Sequence, residues 1–357
     1  MIPLYKPHMP ELPEILSILN SGSLSYGKYG HQFERSLSNF IGVENIMVTN
    51  SYNMALLVAF SALGIGYGDE ILLSPMTCIA STQPLLSAGL KIKWADIDPK
   101  TGTLSPESVR KRITTNTKAI IHNHYCGYLG YIDEINEIGH EYGIPVIDDG
   151  FEAFGSEYKG RIIGNVGADV TIFSFNAVRI PNTIDGGALI FKDKSLYEKS
   201  ILLRDCGIDR SIFRDEMGEI SPQCDIGMVG HSATMSDVNA YIGTQQMLQM
   251  PKILRRQRKN AASWDNEFKL NYPELTPIGR ESINPNYWVY GFFSKDKKET
   301  ILDFRRKGFY ASSVHLNNDR YSVFGAYEKL IGVEEFSSKY IALPSGWWLD
   351  HKDVSNG

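Results

Sequence analysis

Apolar and polar positions fall into blocks along the first half of this chain, and the period changes from block to block. Met54 to Leu63 is an almost unbroken helix-forming run stopped by Gly64, Gly66 and Gly68, which predicts a buried helix. Glu70 to Leu73 is short, apolar and bounded by turn residues, as a buried strand is. After a helical stretch from Ile79 to Ala88, Leu90 to Ile97 predicts a second strand, Ala119 to His124 a third and Ile144 to Asp148 a fourth. Between the last two, Ile132, Ile135 and Ile138 recur at helical spacing. Strand, helix, strand in repetition predicts an α/β fold with a mostly parallel sheet covered on both faces. Such sheets take ligands at the carboxyl ends of their strands.

The pattern shortens from Val170 to Phe191, where short strands are expected around a Ser174-Phe175 turn. Gly230 to Leu254 reads as a long helical region running into Lys252, Arg255, Arg256, Arg258 and Lys259, a cluster better suited to a solvated helix face than to an anion site. Beyond it the chain reads as a smaller α+β unit with Tyr287 to Phe293 as its clearest strand. The expected division is therefore a large α/β domain over residues 1–250 and a small C-terminal α+β domain over residues 251–357. Asp350 has the character of a helix N-cap, and the helix it would start is expected to be incomplete.

Composition narrows the partners. A chain of 357 residues, 43% hydrophobic and 22% charged, has the make-up of a soluble globular protein, and a net charge of −5 gives no reason to expect nucleic acid or an anionic membrane. Met1 to Pro7 lacks a charged-then-apolar signal pattern and no apolar run reaches membrane-spanning length, so a cytoplasmic location is expected. Cys78, Cys126, Cys206 and Cys224 show no CxxC spacing and are expected as reduced, mostly buried thiols.

The chemistry gathers around an apolar run that ends in two acids, Val146-Ile147-Asp148-Asp149, and a later segment, Ser174-Phe175-Asn176-Ala177-Val178-Arg179, followed by Asp185-Gly186-Gly187. Together with Gly27-Lys28-Tyr29-Gly30, Ser74-Pro75-Met76-Thr77, Glu152-Ala153-Phe154-Gly155-Ser156 and Met235-Ser236-Asp237, these tags resemble, in order and spacing, the DegT/DnrJ/EryC1/StrS family over nearly the whole chain. The resemblance implies fold type I of the pyridoxal phosphate (PLP) enzymes, a nucleotide-linked keto sugar as substrate, and a role in surface polysaccharide (O-antigen) biosynthesis. It also implies a homodimer whose sites are shared between subunits. On it, Asp149 is the acid for the pyridine nitrogen, Glu152 lies beside the ring hydroxyl, and Ser174, Tyr52 and Asn53 fall on the phosphate. Cys78 falls on the stacking position, Ser232 on the residue that reaches the neighbouring subunit's phosphate, and His315 and Asn317 on the substrate. His124 aligns with the family's His-x-x-Gly histidine and is a candidate catalytic group. With His122 it forms an x-His-x-His pair, but no third ligand is in view, so two core histidines and no metal are expected.

Four departures fall on the cofactor. Arg179 stands at the position of the Schiff-base lysine, and a guanidinium is protonated at every working pH. Ser51-Tyr52-Asn53 replaces a cradle in which glycine lets the backbone approach the phosphate, so Tyr52 should crowd it. Cys78 provides no aromatic face, and Ser232 replaces a longer polar side chain. Any PLP or pyridoxamine phosphate (PMP) would then be held without a covalent bond, and ordinary transamination is doubtful. Two other readings stay open: a catalytically inactive member that binds sugar nucleotide or pairs with an active paralogue, and a PLP-free enzyme using Arg179 and Asp149. Arg179 either offers a cation to an anionic ligand or pairs with Asp149 or Glu152. The segment from His315 to Arg320 is either substrate-touching or an exposed turn, and Trp347 and Trp348 read as packing anchors or as stacking groups.

Overall fold

The computed structural model describes residues 1–279 and 281–350, so the helix expected after Asp350 lies outside the described residues. In chain order the strands are β1 (Ile46–Thr49), β2 (Glu70–Leu73), β3 (Lys91–Trp94), β4 (Thr117–Asn123), β5 (Val146–Asp149), β6 (Glu157–Tyr158) and β7 (Arg161–Ile162). They continue as β8 (Val170–Ser174), β9 (Gly187–Phe191), β10 (Thr276–Pro277), β11 (Ile283–Asn284), β12 (Val289–Phe293) and β13 (Tyr340–Pro344). The helices are α1 (Ile15–Leu19), α2 (Lys28–Ile41), α3 (Tyr52–Leu63), α4 (Ile79–Ser87), α5 (Pro106–Arg112), α6 (Ile132–Tyr142), α7 (Lys194–Arg204), α8 (Asp237–Asn271), α9 (Lys297–Arg306) and α10 (Ile331–Lys339).

Seven strands form the central sheet in the order β1-β9-β8-β5-β4-β2-β3. Neighbours from β8 to β3 run parallel, and β9 is antiparallel to both β8 and β1, so six of the seven strands point one way. Because successive side chains alternate faces, Leu73, Ile121, Ile147, Ile172 and Leu189 pack with α3 on one side. Leu72, Ile120 and Val146 pack with α5 and α6 on the other, next to a cluster where Phe173, Ala188 and Ile190 meet α2 and α8. α3 is buried on nearly every side, which is why its sequence is apolar all round rather than striped.

α8 runs 35 residues, roughly 50 Å at the usual rise, and serves both halves of the molecule. Met250 and Leu254 lie in the large core, whereas Ala261, Trp264 and Phe268 lie in the core of the small sheet β10-β12-β13. The chain thus passes residue 250 inside a continuous helix. The basic cluster on α8 is divided: Lys252, Arg255 and Lys259 are exposed, but Arg256 donates to the Leu349 carbonyl and Arg258 to that of Gly155. The N-terminal carboxylate of this helix ties it to α2, since Asp237 accepts from the amides of Gly27, Tyr29 and Gly30.

The tryptophan pair anchors the N-terminal segment, Trp347 Nε1 donating to the Lys6 carbonyl and Trp348 Nε1 to that of Pro3. All four cysteines are free, but only Cys126 is buried; Cys206 is exposed and Cys78 and Cys224 are half-buried. The expectation of mostly buried thiols fails because Cys206 and Cys224 belong to the irregular stretch between α7 and α8, which lacks a packed face. Among the described residues, no helix is long and apolar enough to cross a membrane.

Candidate active site

The parallel register of β4 and β5 sets His122 beside Asp148 and Asn123 beside Asp149, which separates the two acids onto opposite faces of the sheet. Asp149 faces the α3 side. Its carboxylate accepts from Asn123 Nδ2 at 2.8 Å and from the Phe151 amide at 3.1 Å, with the hydroxyls of Ser81 and Tyr52 also in range. Burial pushes this carboxyl above its ordinary pKa, and those neutral donors recover only part of the shift.

Asp148, on the other face, meets His122 Nδ1 and His124 Nε2, each at 3.3 Å. Burial alone would raise this carboxyl, but His124 and His122 hold it at about 2. The three residues are close enough together to suggest a metal set. His124 Nδ1 accepts the Gly130 amide hydrogen at 3.2 Å, while His124 Nε2, both His122 ring nitrogens and both Asp148 oxygens are buried without a hydrogen-bond partner. His124 is buried beside Asp148, on the face of the sheet opposite Asp149.

Arg179 lies in the turn after β8, with its amide donating to the Asn176 carbonyl. It does not turn to Asp149. Its guanidinium reaches Glu152 Oε1 at 3.2 Å, and that same oxygen meets His315 Nε2 at 2.7 Å. Glu152 Oε2 accepts from the Cys126 amide. Burial opposes ionisation of Glu152, but His315 and Arg179 outweigh it and hold the carboxyl at about 2. The guanidinium carbon also lies 4.1 Å from the centre of the Phe151 ring and 4.6 Å from that of Trp288. Tyr52 joins them, its ring edge-on to Phe151 at 4.7 Å and 86°. The Tyr52 hydroxyl is 3.3 Å from Ser81 Oγ and close enough to Asp149 that the two act on each other's titration.

The remaining candidates divide. Ser174 is buried and lines, with Glu152, Arg179, Phe151 and Trp288, a cavity of only about 10 Å³. Cys78 is half-buried just before α4, its thiol pushed up by burial and then by Glu152. His315 joins the site through Glu152, whereas Asn317 closes its own turn on Asp319 Oδ1 at 2.6 Å. It is Asn318 that reaches inward, to the Thr77 carbonyl and Thr82 Oγ1. Asn53 is exposed and lines a different groove, with Met54 and Ile79, because the helical turn carries it outward from Tyr52. Ser232 is exposed too, held by its carbonyl to Asn50 Nδ2. The cradle hydroxyl of Ser51 is already used, accepting from the Met54 amide as the N-cap of α3. Gly187 is needed for close approach, since a Cβ there would lie 2.8 Å from the Ser51 carbonyl oxygen.

Phe151 and Trp288 escape sequence reasoning. Phe151 lies two residues past Asp149 but carries no chemistry to mark it, and Trp288 comes from the far end of the chain. Only the tertiary structure brings them to Arg179.

Residues 8–356 match the model of the DegT/DnrJ/EryC1/StrS aminotransferase family. The spore coat polysaccharide biosynthesis protein SpsC of Bacillus subtilis (strain 168) is 29% identical over 291 residues, 82% of this chain and 75% of that protein. The crystal structure of sugar aminotransferase CalS13 from Micromonospora echinospora superimposes with a TM-score of 0.91 at 28% identity, over 100% of this chain and 98% of that one. The PLP-form structure of Spr1654 from Streptococcus pneumoniae shares the fold, with a TM-score of 0.88 at 22% identity, over 99% of this chain and 96% of that one.

Proposed function

Because this chain belongs to the DegT/DnrJ/EryC1/StrS aminotransferase family, we propose that it serves polysaccharide biosynthesis as a member that has given up transamination. Its remaining role is then binding, either of a nucleotide-linked keto sugar or of an active family member whose site it completes as half of a dimer. The observation that carries this reading is the state of Arg179: buried, ion-paired to Glu152 and held between two aromatic rings. A group so placed has no lone pair with which to form a Schiff base. Nor is it a free cation waiting for an anionic substrate, because its charge is already met. The same observation weighs against a PLP-free enzyme using Arg179 and Asp149, since Arg179 turns to Glu152 and Asp149 meets only neutral donors.

The relatives support the sugar side of the proposal: one is named for spore coat polysaccharide biosynthesis and others for sugar aminotransfer. The test is to incubate the purified chain with PLP or PMP, an amino donor and UDP- or dTDP-linked 4-keto sugars. Mass spectrometry is expected to find no amino sugar, while calorimetry with the same sugar nucleotides, or mixing with an active family member, reports binding. Formation of amino sugar by the natural chain would overturn the reading.

A further inference from the structure

We propose that a stack of four side chains, Tyr52, Phe151, Arg179 and Trp288, occupies the space a cofactor ring would need, so that this chain fills its own pocket. The inference rests on the reading of Arg179 above and goes further, because it assigns the loss of the cofactor to lost volume as well as to a lost amine.

The four groups are in successive contact: the Tyr52 ring edge-on to Phe151 at 4.7 Å, and the Arg179 guanidinium carbon 4.1 Å from the Phe151 centre and 4.6 Å from that of Trp288. Their relative exposures are 5%, 8%, 5% and 7% in chain order, so the set is interior and solvent does not separate its members. The space left beside it among Glu152, Ser174, Arg179 and Trp288 is about 10 Å³. That volume holds about one water molecule, whereas pockets for cofactors run to roughly 300 Å³ or more.

Asp149 is consistent with a filled site. The acid that the family resemblance pairs with a pyridine nitrogen instead takes Asn123, the Phe151 amide, Ser81 and the Tyr52 hydroxyl as neighbours, all neutral donors. Tyr52, which the family resemblance places at the phosphate cradle, thereby gives the acid an internal partner. Arg179 has an internal counter-charge, because Glu152 Oε1 lies 3.2 Å from its Nη1 and two rings flank the guanidinium, although its Nε is buried without a hydrogen-bond partner. PLP does not fit the residues present, and no step through it follows from this site.

Replacing Arg179 alone would return an amine but no room. The experiment compares the natural chain, Arg179→Lys, and Arg179→Lys combined with Tyr52→Gly and Phe151→Ala, each titrated with PLP. An internal aldimine forms when the lysine amine adds to the aldehyde carbon and water leaves. It is read as a visible absorbance band, and as a fixed mass increase after borohydride adds hydride to the imine. The natural chain and Arg179→Lys are expected to show neither signal, and the triple variant both, in near-stoichiometric yield. An aldimine in Arg179→Lys alone would overturn the filled pocket while leaving the proposed function intact. A folded triple variant that takes up no PLP would also overturn it. Equilibrium dialysis of PLP against the natural chain needs no variant to fold: retention by the protein would overturn the proposal, and free passage is the expected result.

Discussion

At the scale of single residues, the site is held by one buried charge meeting another. Arg179 and Glu152 are both nearly enclosed, and the carboxylate accepts from Arg179, from His315 and from the Cys126 amide. Removing one member of such a pair strands the other in a medium that solvates charge poorly. Glu152→Gln is therefore expected to lower folding stability by about 3–5 kcal/mol, read as an earlier urea midpoint at unchanged slope. Arg179→Met in the Glu152→Gln background should recover much of that loss, because the stranded cation goes with it. Recovery of nothing would mean that the ring contacts, not the ion pair, hold this corner. At this scale the sequence revealed the oddity of position 179 and offered two partners for it. It could not choose, because Asp149 and Glu152 are separated by only two residues and their faces depend on the turn between them.

At the scale of elements, the family-like tags prove to be joints. Gly27-Lys28-Tyr29-Gly30 and Met235-Ser236-Asp237 lie far apart in sequence, yet Asp237 accepts three amide hydrogens at the start of α2. A carboxylate at a helix N-terminus satisfies donors the helix cannot and meets the positive end of its dipole. Asp237→Ala is expected to cost about 2–3 kcal/mol, more than the usual cap, because the donors it leaves are partly buried. Thermal unfolding would show the loss. A change under about half a kcal/mol would mean that water replaces the carboxylate. In the first half β2 to β5 and the helices α3, α4 and α6 were legible as apolar blocks between turn residues, whereas α1, α2, β1 and α5 were not read. The four short strands β6, β7, β10 and β11 were not, since two-residue pairings leave no period to read.

At the scale of the whole molecule, acid should unfold the chain from two buried centres at once. Glu152 and Asp148 are each held at about 2, below their ordinary 4.5 and 3.8. A carboxyl depressed in the folded state adds stability above its unfolded pKa and loses it as pH falls toward the folded one. His122 adds to this: burial and then His124 lower its pKa, so unfolding takes up a proton below about 6.5, and stability again falls with pH. Asp149, raised by burial, works in the opposite sense, adding stability below about 3.8 that is lost as pH climbs through its folded value. The expected profile is a decline from near neutrality that steepens between about pH 4.5 and 2. Denaturant midpoints measured across that range in Asp148→Asn and Glu152→Gln should fall less steeply than in the natural chain. A slope unchanged in both variants would place the acid sensitivity elsewhere.

The order of apolar blocks along this chain was enough, by itself, to determine a mostly parallel sheet clad in helices, because burial on both faces demands long apolar runs and the crossovers demand helices between them. The order and spacing of its short tags marked the family, and the arginine at position 179 stood out against the lysine that the resemblance implies there. Tertiary structure alone decided which groups meet at position 179. Tyr52, Phe151, Arg179 and Trp288 come from α3, from the turns after β5 and β8, and from the approach to β12, and no local pattern records that they meet. Packing is a relation between distant segments, whereas periodicity is a property of one segment, and only folding joins the two.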